Sequence, residues 1–371
     1  MENKRVNIVL FVILVLIVIA IIFLMGKYNE QIAEKAKDII ENNIAPALAQ
    51  EEPNVNVVPT MKEKINGNTV WCGSIQLAWN DFKDNIVKQD IEFSPQLEMV
   101  NNLNTSEFTA EMISAEDYYI KSGVMTSALK QEIETGLKDK FDYTSDLLNQ
   151  FNWEENNAIK YFAYAMLNKK FEFNQAFDDL NKGSFAGKGT DTKYFGLNAN
   201  TNSGARSQVQ VLYYNNENDK AISLKTKQGE EVIIAMTNKM KNFTQIYDKI
   251  TTESQNFKGN KELRDAEELK IPNLNIETEK EFTDLENKKF EDANGSELQL
   301  NKVVQAINFT LDKTGGQVVS ETGIEAERNA EPVQEEIRNF SFDKEFVVFI
   351  REEGKTLPYF ALNVSDIEDF Q

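Results

Sequence analysis

The sequence predicts an α+β fold carried behind a single membrane-spanning helix. Three observations lead there. An unbroken apolar run, Ile8–Met25, opens the chain. Beyond it, helix-spaced apolar residues dominate the first half of the chain, and β-branched or aromatic runs bounded by turn residues dominate the second. There is no internal repeat and no low-complexity tract. The roughly 345 residues after the run suffice for one large domain or two.

As a helix, the apolar run is about the length needed to cross a ~30 Å hydrocarbon layer. The competing reading is a cleavable signal peptide, whose apolar core is usually ~7–15 residues and ends in a small-x-small site. This run is longer and leaves through Gly26, Lys27 and Tyr28 with no such site. The expected organisation is a cytoplasmic tail at 1–5, an anchor at 6–26, a juxtamembrane helix and linker at 27–62, and a domain at 63–371. Lys4 and Arg5 precede the run, and Lys27, Lys35 and Lys37 come after it, so the flanking charges nearly balance. The short N-terminal tail favours a single-pass protein of the cell membrane with its large domain outside.

Composition narrows the chemistry. A net charge of −20 argues against nucleic acid as a partner and against docking on anionic lipid. The lone cysteine, Cys72, excludes an intrachain disulfide, and its flanks Val70, Trp71 and Ile75 suggest a buried, inert thiol. There is no histidine, so Ser-His-Asp and Cys-His nucleophile systems and His-liganded zinc sites are impossible. No paired-carboxylate motif of defined spacing stands out among the 60 acidic residues. The expectation is a protein that is not an enzyme and holds neither cofactor nor metal.

Along the chain, Ile32, Ala36 and Ile40 place a helix over 27–45, ended by Pro46, as a stalk or as the first helix of the domain. Glu51–Pro59 reads as a linker. Asn68–Phe82 begins extended and turns helical. Gln96–Leu103 is a short helix, Asp117–Lys121 a strand, and Met125–Phe141 a helix through Leu129, Ile133 and Leu137. The aromatic-rich run Ala158–Phe173 reads as a buried central strand. Strands come next at Val209–Tyr214, Ala221–Leu224 and Glu231–Met236, then a helix at Asn242–Thr251. Further strands are expected at Glu268–Ile276, Leu298–Phe309, Phe346–Ile350 and Tyr359–Val364. Gly183–Thr190 imitates a phosphate-binding loop, but it is one residue short before Gly187-Lys188 and carries Gly189 where a hydroxyl belongs. It reads as a surface loop.

The C-terminal third resembles the serpin family. Phe340, Phe342, Asp343, Lys344, Phe346, Val347, Val348 and Ile350 match that family's C-terminal signature, with Glu345 at the one departing position. Leu357–Val364 is similar to its closing strand. Leu300–Gly315 resembles the strand that leads into the reactive-centre hinge. Leu269–Glu277 resembles another strand, with an amphipathic helix after it to Phe290. Ala158–Phe177 is similar to the central strand, with Phe171 in a tryptophan position, and Asn68–Trp79 matches weakly, best at Ser74-Ile75. The segments keep the family's order from about residue 63 to the end.

The resemblance implies a serpin-like α+β fold. A helical N-terminal half would pack on a large mixed central sheet, beside a C-terminal barrel-like sheet region, with an exposed reactive-centre loop at about 315–339. A protease cleaves that loop, and the hinge then inserts into the sheet and drags the acylated protease with it. The hinge would be Gly315, Gly316, Gln317, Val318, Val319, Ser320, Glu321 and Thr322, with alternate residues from Gly316 facing inward. Val318, Val319 and Glu321 stand where the family has alanines. Gln305 replaces a histidine, and the chain before Ala158 is too short for the helix that normally crosses the sheet. Family spacing from Gly315 puts the bait bond after Asn329, and Arg328 beside it is the natural trypsin-like target, so the expected bond is Arg328–Asn329. The function implied is a membrane-tethered, monomeric inhibitor of a serine or cysteine protease. The alternative is a non-inhibitory serpin-fold binding or structural protein at the cell surface.

Overall fold

The computed structural model describes residues 55–153, 160–237, 240–316 and 337–371. The expected anchor, the helix at 27–45 and residues 51–54 of the linker lie outside these residues. The rest of the expected linker is part of the domain, because Asn56–Val57 pairs as a strand and residues 57–59 are buried. No helix among the described residues is long and apolar enough to cross a membrane. Residues Pro53–Gln371 form one compact unit, separate from Met1–Glu52.

In chain order, β1 (Asn56–Val57) and β2 (Thr69–Cys72) pair in parallel, and α1 (Ser74–Asp81) comes after them, its end widened into a π-helix over Phe82–Val87. Next come α2 (Glu98–Asn104), β3 (Tyr118–Val124) and α3 (Ser127–Phe141). The Thr126 hydroxyl caps α3 by accepting from the Leu129 amide, Asp142 closes it in a left-handed conformation, and Leu129, Ile133 and Leu137 form its buried stripe. A single turn, Leu147–Gln150, precedes β4 (Tyr161–Leu167) and β5 (Phe171–Glu172).

The strand-rich half then runs through β6 (Asp178–Phe185), β7 (Lys188–Leu197), the one-turn helix α4 (Ser203–Arg206), β8 (Val209–Asn216), β9 (Asp219–Lys225), β10 (Glu230–Met236) and α5 (Phe243–Asn256). It continues with β11 (Glu268–Pro272), β12 (Leu274–Glu281), β13 (Lys289–Glu291), β14 (Glu297–Gln299), β15 (Val304–Leu311) and β16 (Gly315–Gly316). The chain closes with β17 (Asn339–Ser341), β18 (Phe346–Glu352) and β19 (Phe360–Val364).

The largest sheet has seven strands in the order β1-β2-β19-β18-β10-β9-β8 and is mixed, because only its β1–β2 pair is parallel. Its inner strands read as continuous apolar runs because both faces are covered. Phe346–Ile350 and the whole of β19 are buried, and α5 lays Phe243 edge-on and Tyr247 tilted against Phe349. A four-stranded sheet, β17-β11-β7-β6, packs near one end of it through Phe185 against Phe346.

Three expectations change. Ala158–Phe173 is not one central strand: among the described residues β4 pairs only with β3, and β5 only with β16. The amphipathic helix expected up to Phe290 is absent. Leu274, Ile276 and Thr278 alternate with exposed Asn275, Glu277 and Glu279, so a period of two continues, and β12 pairs with β15 through Glu281. Leu298–Phe309 breaks into β14 and β15. The apparent phosphate loop is the turn of the β6–β7 hairpin, where Phe185 faces Lys188 across Ala186 (φ 50°) and Gly187 (φ 75°), a left-handed pair that favours a glycine.

Candidate functional site

Two strand pairs, β3–β4 and β12–β15, stand apart with a cleft of about 1140 Å³ between β4 and β15. The floor is α1, which presents Ile75, Ala78, Trp79 and Phe82. Side chains on β4 alternate: Ala163, Ala165 and Leu167 pack with the main core, whereas Phe162 and Tyr164 join a second cluster under α3. Gln305, buried at the floor, donates from Nε2 to the Cys72 carbonyl (3.1 Å) and the Ser74 hydroxyl (2.9 Å), while its Oε1 has no partner among the described residues. Burial pushes the Cys72 thiol up, which fits an inert role.

Gly315 and Gly316, the first two residues of the expected hinge, lie beside Phe171 at the end of this cleft. After β15 the chain turns, with Asp312 Oδ1 accepting from the Thr314 amide (2.7 Å) and hydroxyl (2.6 Å). Gly315 and Gly316 then pair antiparallel with Glu172 and Phe171. Only glycine serves at 315: φ is +116°, and a Cβ there would sit 2.5 Å from the Phe171 carbonyl oxygen. At Gly315 the chain thus reverses direction relative to β15. Gln317–Thr322, Arg328 and Asn329 lie outside the described residues.

Beside the hinge, Lys169 ties the β4–β5 junction to the seven-stranded sheet. Its ammonium contacts Asp117, Glu230 (2.8 Å) and Glu352 (3.1 Å). Burial works against this charge, but the hydrogen bonds to Asp117 and Glu230 outweigh it and hold the ammonium above its ordinary pKa. Burial also raises the Asp117 carboxyl, despite its bond to Lys169. Nothing in the sequence marks this four-charge group.

The loop returns at a second anchored foot. Glu267, fully buried, accepts from Arg338 (Nε 2.7 Å, Nη2 2.8 Å) and from Arg264 (Nε 2.9 Å, Nη2 2.6 Å). Burial opposes its charge, but these donors, Arg338 foremost, pull its pKa down to about 2. Lys220, also buried, donates to the carbonyls of Asn339 (2.8 Å) and Ser341 (2.9 Å), and burial pushes its ammonium down to about 8. β17 pairs in parallel with β11. Residues 317–336 therefore join two fixed feet. In the signature region Phe340, Phe342, Phe346, Val347, Val348 and Ile350 are buried, while Asp343 and Lys344 lie toward solvent. An arginine immediately ahead of this run was the one sequence signal for the second foot.

No protein-family model matches the chain, and no curated protein matches it. Solved structures similar to it include a thermophilic serpin, tengpin, in the native state, at 10% identity and a TM-score of 0.48, covering 81% of this chain and 89% of that one. Serpin48 of the insect Tenebrio molitor is 11% identical with a TM-score of 0.46, covering 81% and 92%. Human thyroxine-binding globulin complexed with thyroxine is 11% identical with a TM-score of 0.48, covering 80% and 91%. The fold itself is α+β, with mixed sheets.

Proposed function

We propose that this chain is a membrane-tethered, serpin-like inhibitor of an extracellular serine or cysteine protease, acting as a suicide substrate through Arg328–Asn329. One observation carries the reading: Gly315-Gly316 already forms the start of a strand antiparallel to Phe171–Glu172 at the end of the cleft. In the proposed reaction the protease nucleophile attacks the Arg328 carbonyl. An acyl-enzyme forms at Arg328, and the Asn329 amine leaves with a proton. The freed hinge then enters the cleft as a strand between β4 and β15.

The two pairings at Gly315 support a fit. Gly315 faces Asp312 on one side and Glu172 on the other. Continued two residues at a time, that register would put Val318 between Phe309 and Lys169, Ser320 between Ile307 and Leu167, and Thr322 between Gln305 and Ala165. Small or β-branched residues would thus meet the α1 floor, and the Thr322 hydroxyl would face the side chain whose Oε1 lacks a partner. The non-inhibitory alternative draws on Val318, Val319 and Glu321, which resist rapid threading between packed strands. Trypsin separates the two. Cleavage at Arg328 and then a large rise in melting temperature, or a covalent complex that survives denaturant, is the expected result. Cleavage there with an unchanged melting temperature leaves the binding-protein reading instead.

A further inference from the structure

We propose that the segment 147–153 is a clasp over the cleft, fastened by Gln150 and Glu279, and that it sets how far β4 and β15 stand apart. The segment is stiff: Leu148 is fully buried, and the Trp153 indole donates to its carbonyl (2.7 Å). On one side Phe151 and Trp153 pack edge-on against Phe162 of β4, with ring centroids 4.8 and 4.7 Å away. On the other side the Gln150 amide donates to both carboxylate oxygens of Glu279 (2.9 and 2.8 Å). Glu279 lies on β12 opposite Ala306 of β15, so this bond fixes the second wall. Lys302, just before β15, holds its ammonium 6.0 Å from the Phe151 ring and 3.4 Å from Glu281. Gln150, Phe151 and Asn152 all line the cleft from above, opposite the α1 floor. A strand entering between the walls would turn every second side chain toward this roof, so the clasp has to lift.

The part concerning strand entry rests on the proposed function; the part concerning the walls does not. The test uses the full chain in detergent, as wild type, Gln150→Ala and Gln150→Arg. Arginine offers a bidentate partner to Glu279 and tightens the fastening, whereas alanine removes it. Both substitutions fall on an exposed side chain, so the fold is retained. Two quantities are read: hydrogen exchange of the amides in β4 and β15, and uptake of a synthetic peptide with the sequence of residues 317–326. The expected result is exchange and uptake several-fold faster in Gln150→Ala and slower in Gln150→Arg. Equal exchange in all three chains overturns the clasp, even if peptide enters each of them. Faster exchange in Gln150→Ala with no peptide taken up by any chain upholds the clasp and sinks the strand-accepting cleft.

Discussion

At the scale of single residues, the buried charges are the features that composition hides. Glu267 is one carboxylate among 60 acidic residues, yet it is fully buried between Arg338 and Arg264. Its pKa falls from 4.5 to about 2 on folding. A depressed carboxylate stabilises the fold above its unfolded pKa, and that contribution is lost as pH falls through the folded value. The shift corresponds to a contribution on the order of 3 kcal/mol. We expect urea denaturation of the wild type to show this loss between pH 4.5 and 2. The Glu267→Gln variant should be weaker at pH 7 and flatter across that window. Equal pH dependence in the two chains removes Glu267 as the anchor of the loop's second foot.

At the scale of elements, local pattern decided more than propensity. Leu129, Ile133 and Leu137, with the Thr126 cap, made α3 readable to within two residues. The strands at Val209, Ala221 and Glu231 were readable because turn residues bound them. The helix expected before Phe290 did not form because Thr278–Glu281, where it would start, continue the pairing of β12 with β15. The sequence held no reason for a glycine at 315, since its pairing with Glu172 spans well over a hundred residues. Gly315→Val would force a Cβ against the Phe171 carbonyl at a φ that suits glycine alone. We expect that variant to be cut by trypsin at Arg328 and to gain little or no thermal stability afterward. A gain as large as the wild type's shows that the pairing at Gly315 is dispensable for insertion.

At the scale of the whole molecule, an acidic domain with no disulfide depends on a shared core. The seven-stranded sheet, α1 and β12 contribute to one cluster, and α3 with the 147–153 segment makes a second, smaller one on β4. Among the described residues it is the 147–153 segment before β4 that lines the cleft opposite α1, and this came only from packing. Location rests on the N-terminal run, where flanking charge is nearly balanced. We expect protease added to intact cells to cut the loop at Arg328, so that a denaturing gel shows the chain as residues 1–328 and 329–371 while the packed β18 and β19 keep the two pieces together. A chain protected until the cells are lysed reverses the proposed topology.

By itself the sequence determined the membrane-length apolar run, the absence of histidine chemistry, the α+β class and the order of segments from Asn68 to Val364. These stem from length, composition and short-range period, which need no knowledge of what lies opposite. Tertiary structure alone decided that β4 borders an open cleft, that Lys169 joins three carboxylates, that Glu267 grips Arg338, and that Gln150 reaches Glu279. Each of these depends on partners far apart in the chain, and desolvation and contact geometry there are set by the packed sheets.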